Sequence, residues 1–196
     1  MSFVALASVL EGVGTSAYLG GAGLITSKTY LGVAGSILVT ESIHTSLQRF
    51  NLGEIAPANP YGTALGLNEV YTLAASFIKS CPASNPALPV KAFPGLTATQ
   101  GAPTSQGVSF TFMPASTPPA DFFVTFVSGL TTTSVTGTME GDMVSVVIPD
   151  TVQGQSYAFI TSENVTASIT DSMILFGPAI VEVTPPSPRF DISEEK

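Results

Sequence analysis

The stretch Ile37-Leu38-Val39-Thr40-Glu41-Ser42-Ile43-His44 decides how this chain is read. It sets a carboxylate and an imidazole three residues apart in strongly apolar sequence, so both project from one helical face on adjacent turns. Upstream, Val9-Leu10-Glu11-Gly12-Val13-Gly14 carries another carboxylate in equally apolar surroundings. Between Met1 and Thr40 the only charged side chains are Glu11 and Lys28. An ionised carboxylate in such a setting is costly unless a cation or hydrogen-bond donors meet it.

Both stretches lie in helix-patterned sequence. Phe3, Ala7, Leu10, Gly14 and Ala17 recur at helical spacing and predict a first helix over residues 2–24. Thr26-Ser27 supplies a capping residue, and a second helix follows from about Lys28 to Phe50. Its Leu31, Ala34, Leu38, Glu41 and Thr45 share a face, and Asn51-Leu52-Gly53 is a plausible stop. An antiparallel hairpin about Thr26 puts Glu11 and Glu41 at equal distance from the turn, so the two carboxylates are expected to face each other. A third, shorter helix is predicted over Ala64–Ile78 after the turn signal Asn59-Pro60-Tyr61-Gly62. Its Glu69 reads as a solvated or capping residue rather than a ligand.

A Glu facing a Glu-x-x-His is half the ligand set of a di-iron or di-manganese four-helix bundle. The candidate metal ligands are therefore Glu11, Glu41 and His44. A lone Glu-x-x-His is weak, and the opposed Glu11 makes the set moderately specific. Carboxylate oxygens with one imidazole per metal suit Fe or Mn better than copper or a thiolate-seeking metal. Two hairpins in a twofold dimer would bring four Glu and two His, the full di-metal set. Metal binding is then conditional on assembly. Two other readings stay open: a degenerate site of buried hydrogen bonds, and surface residues that fall together by chance.

Downstream, Pro82, Pro86, Pro89, Pro94 and Pro103 punctuate an extended linker, assigned to residues 81–105. From Gln106 the period changes. Val108, Phe110 and Phe112 alternate with polar residues, and further β-rich runs follow at Phe122–Val127, Val135–Met139, Met143–Ile148, Gln155–Thr161, Ala167–Thr170 and Ala179–Val183. Seven short runs divided by Gly, Pro, Asp and Asn predict an antiparallel β-sandwich over 106–185. The fold class is thus α+β: a helical region over 1–80, the linker, the sandwich, and a disordered tail over 186–196.

Composition narrows the function. Only 10% of residues are charged, against roughly 25% in an ordinary soluble domain. The missing charge is replaced by Ser, Thr, Gly and Pro, which fits a secreted or wall-associated surface. A net charge of −8 with six scattered Lys and Arg argues against nucleic acid. Cys81 is alone, so an internal disulfide is impossible. It reads as a buried free thiol, with an intermolecular bridge or a partner lost with missing sequence as alternatives. The apolar N-terminus reads as a buried core helix, ahead of a membrane span or a cleaved signal. Glu11 and five glycines dilute it, and no basic segment precedes it, so no signal peptide is evident. Asn164-Val165-Thr166 is an N-glycosylation sequon. With one histidine already assigned, no Ser-His-Asp triad can be built, and no catalytic residue is named.

The stretches 9–14, Tyr18-Leu19-Gly20, 37–44, Leu65-Gly66-Leu67-Asn68-Glu69-Val70, and Cys81-Pro82 through Phe93-Pro94 resemble the fungal ferritin-like proteins of the stress-response and sexual-development type. The resemblance covers most of the chain. It implies a ferritin-like bundle followed by a β-sandwich, an extracellular or cell-wall location, and an iron-handling or oxidase role. It makes Glu11 the third-helix Glu, and Glu41 and His44 the fourth-helix pair. Members carry two earlier helices with a second Glu and a second Glu-x-x-His, which are missing here. The expected partner is therefore a second copy or a full-length paralogue. The alternative is a metal-free secreted structural or interaction protein acting through its sandwich.

Overall fold

A computed structural model describes residues 3–101 and 103–186. Helix α1 spans Phe3–Gly21 and runs into a 3-10 turn at Ala22–Leu24. Helix α2 spans Lys28–Asn51, and the Ser27 hydroxyl accepts from Tyr30 N–H at its start. It stops where Gly53 adopts φ +76°, a conformation that favours glycine. Helix α3 is shorter than its pattern suggested, Leu67–Ala75, and Glu69 caps it by accepting from Gly66 N–H. That carboxylate is buried rather than solvated, and burial raises its pKa.

Nine strands follow: β1 Leu96–Ala98, β2 Thr104–Ser105, β3 Ser109–Pro114, β4 Phe123–Ser128, β5 Thr131–Thr136, β6 Thr138–Glu140, β7 Met143–Val147, β8 Gly154–Thr161 and β9 Ile174–Thr184. They form a four-stranded sheet, β1-β3-β7-β6, and a five-stranded sheet, β2-β9-β8-β4-β5. Every pairing is antiparallel except β2 with β9. Phe112, Val124, Phe126, Val144, Ile160 and Val181 fill the space between the sheets. The α+β class with a sandwich stands.

Several details differ from the sequence reading. β1 and β2 lie inside the proline-rich stretch assigned to a linker, ahead of Gln106. The single run Val135–Met139 is two strands in two sheets, β5 and β6, divided at Gly137. A Cβ on Gly137 would lie within 3 Å of Phe122, Val124 and Val144, so the crossing needs glycine. Ala167–Thr170 is not a strand, and Cys81 is exposed rather than buried. The tail assigned to 186–196 lies outside the described residues from Ser187 onward.

The helices cover the outer face of the five-stranded sheet, making a third layer. Leu65, Tyr157, Phe159 and Ile174 form a second core there, flanked by Val13, Val70 and Leu73. This explains why β8 shows almost no alternation of burial: both of its faces are covered.

Candidate metal half-site

The hairpin has two unlike faces. Toward the sheet, α1 presents Ser8, Gly12 and Ser16 at a spacing of four, and both serines are buried. Small side chains let the helix approach β8 closely. Tyr157 reaches across, with its hydroxyl 2.8 Å from Ser16 Oγ and Gln155 Nε2 3.1 Å from the same hydroxyl. Burial pushes the Tyr157 phenol up to about 12. From α2, Arg49 donates to both carboxylate oxygens of Glu182 on β9, at 2.7 and 2.8 Å, and to the carbonyl of Ile55. At the turn end, Gly20 sits where a Cβ would collide with the backbone carbonyl of Leu65.

The other face is greasy and open. Phe3 is 86% exposed, Ile43 62% and Leu47 60%. Val33, Ile37 and Phe50 continue the exposed run along α2. The expected core face of α1, with Phe3 and Leu10, is thus largely outside, and its small-residue side is the docked one. The stretch Phe3–Leu24 is long and apolar enough to cross a membrane by length and composition.

Two of the three candidate ligands meet at the edge of this open face, and the third lies beside them. Glu11 Oε1 lies 3.2 Å from His44 Nδ1. Glu41 packs against α1 at Gly14, where a Cβ would fall 2.6 Å from Glu41 Oε2. The pairings Glu11 with His44 and Gly14 with Glu41 centre the hairpin between Ser27 and Lys28. The expected centre at Thr26 is therefore corrected: the 3-10 turn lengthens the connection, and Glu11 faces His44 rather than Glu41. Glu41 still senses both neighbours. Burial raises its pKa most, the Glu11 charge raises it further, and His44 acts in the opposite sense.

Glu41 Oε2 is buried with no hydrogen-bond partner. Among the described residues, the other such side-chain oxygens are Thr15 Oγ1 and Gln48 Oε1, both also on this hairpin. Glu41, His44 and Gln48 follow at i, i+3 and i+7, so they share one stripe of α2. Phe3, Leu6, Ala7 and Leu10 join Glu11 and Glu41 in lining a groove of about 380 Å³. A buried acceptor without a donor beside a Glu–His pair fits a cation. The set is nevertheless incomplete in one chain: among the described residues, no three His, Cys, Asp or Glu side chains are grouped to hold a metal ion.

Sequence reasoning passed over two residues that build this site. Gly14 makes room for the Glu41 carboxylate, and Arg49 fixes the lower half of α2 to the sheet. Arg49 had a signal, as the only Lys or Arg between Lys28 and Lys79. Asn164 is exposed in the loop after β8.

Two antiparallel helices, with Glu on one and Glu-x-x-His on the other, have the layout of half a carboxylate-bearing four-helix bundle. In keeping with that layout, residues 1–54 match the family model of the ferritin-like domain. The match covers α1 and α2 and leaves the sandwich outside it. No curated protein matches the chain.

Proposed function

We propose that this is a ferritin-like metal-binding protein whose Fe or Mn site forms when two hairpins meet through their open faces. One observation carries the reading: the unpartnered Glu41 Oε2 beside the Glu11–His44 pair, at the edge of the open face of the hairpin. Glu11, Glu41 and His44 would hold one metal per chain, and a second copy would supply the matching set. When bound, such a pair supplies redox chemistry toward O₂ or peroxide. The chain's own part is positional. Glu11 orients the His44 ring, Gly14 leaves space for Glu41, and Leu6 and Leu10 line the groove beside them.

The finer placement, among secreted fungal stress-response and sexual-development proteins, rests on sequence resemblance alone. An extracellular or cell-wall location and glycosylation at Asn164 belong to the same reading.

The test is metal content. Protein purified after expression with Fe(II) or Mn(II) is expected to carry about one metal per chain. Glu41→Ala should lose it with its fold intact by circular dichroism. Metal-free wild-type protein under both conditions would defeat the proposal and favour a non-catalytic interaction role for the sandwich.

A further inference from the structure

A second cleft, of about 810 Å³, lies between α1, the end of α3, β1 and β9. Its volume is in the range that holds a small organic ligand. Val9, Leu73, Phe77, Leu96 and Ile180 give it apolar walls. Its polar groups cluster. Ile180 and Glu182 are two apart on β9 and so point the same way. Gln155 is paired with Glu182 in register on β8. Glu54 joins them from the segment after α2.

The charge at that end does not balance. Arg49 spends Nε on Ile55 O and both terminal nitrogens on Glu182. Glu54 Oε2 lies 3.4 Å from Arg49 Nη1, a nitrogen already committed at 2.7 Å. One guanidinium therefore faces two carboxylates, and Glu54 keeps acceptor capacity in the wall of a largely apolar cleft. An anionic head would be repelled there, whereas a cationic one would complete the charge set.

We propose that this cleft binds a small amphiphile, its apolar body between α1 and α3 and its ammonium-type head on Glu54. The site is independent of the metal reading, because it involves neither Glu11, Glu41 nor His44.

The full chain can be titrated by calorimetry with dodecylammonium and with laurate, each below its micelle concentration. Saturable binding of one dodecylammonium per chain is expected, with laurate at least about tenfold weaker, the factor that 1.4 kcal/mol supplies. Glu54→Gln should weaken dodecylammonium by a similar factor and leave the Arg49–Glu182 pair in place. Ala5→Trp, on the α1 wall, should block both probes while the melting transition is kept. Laurate binding as tightly as the amine would overturn the head assignment. Binding unchanged by Ala5→Trp would locate the amphiphile on the open hairpin face and overturn the site. No saturable binding would overturn it outright.

Discussion

The inner and outer faces of the α1–α2 hairpin solve opposite problems with the same two helices. The inner face uses small side chains, one tyrosine hydroxyl and one buried ion pair to lie against β8 and β9. The outer face carries Phe3, Val33, Ile43, Leu47 and Phe50, large and exposed. A run of exposed apolar side chains is a candidate surface for a protein or a membrane. The contrast teaches that the sandwich covers one side of a helix pair, and that the other side, with its acidic and imidazole groups, stays open.

Breaking the inner face should have the largest effect on stability. Arg49 and Glu182 are 7% and 13% exposed at their side chains. Arg49→Met leaves the largely buried Glu182 without a counter-charge and Glu54 without its neighbouring cation, and removing one partner of a buried pair costs about 3–5 kcal/mol. Urea denaturation should show that loss without a change of metal affinity per folded chain. If instead the midpoint hardly moves, the hairpin is not locked to the sheet by this pair.

Tyr157→Phe is a milder probe of the same face. Ser16 keeps its bond to Gly12 O and Gln155 its bond to Val9 O, so no partner is stranded. A loss of about 1 kcal/mol is expected by denaturant titration.

On the outer face the sign reverses. Burial and Glu11 raise the Glu41 pKa above its ordinary 4.5. The native chain therefore keeps that proton to higher pH than the unfolded chain does. Its relative stabilisation is full below about pH 4.5 and is lost as pH rises through the native value. Glu41→Gln should thus raise the melting temperature of metal-free protein slightly at pH 7 and not at pH 4. A decrease at pH 7 would mean that Glu41 is satisfied as a carboxylate by groups of its own chain.

Much of this arrangement was legible in the sequence, because it rests on period and punctuation. Helical spacing, Ser27 and Gly53 bounded α2, and alternation with turn residues announced the sandwich. What escaped depended on tertiary choice. The apolar pattern of α1 marks a face wanting cover but not which neighbour covers it. Ser8, Gly12 and Ser16 docked instead, because close approach to β8 rewards small side chains. The meeting of Glu11 with His44 turned on the extra length of the 3-10 turn, and the split at Gly137 on a sheet crossing that leaves no gap in the hydrophobic run. Glu11, Glu41 and His44 lie on the expected helices, but the level at which the helices pair was off by about one helical turn.

Light scattering on the eluting full chain, with Fe(II) or Mn(II) present, tests the central claim most directly. The account predicts twice the 20.1 kDa of one chain, reduced to a single chain by Leu47→Glu at a side chain 60% exposed. A wild-type mass of 20.1 kDa at tens of micromolar with metal present would contradict it.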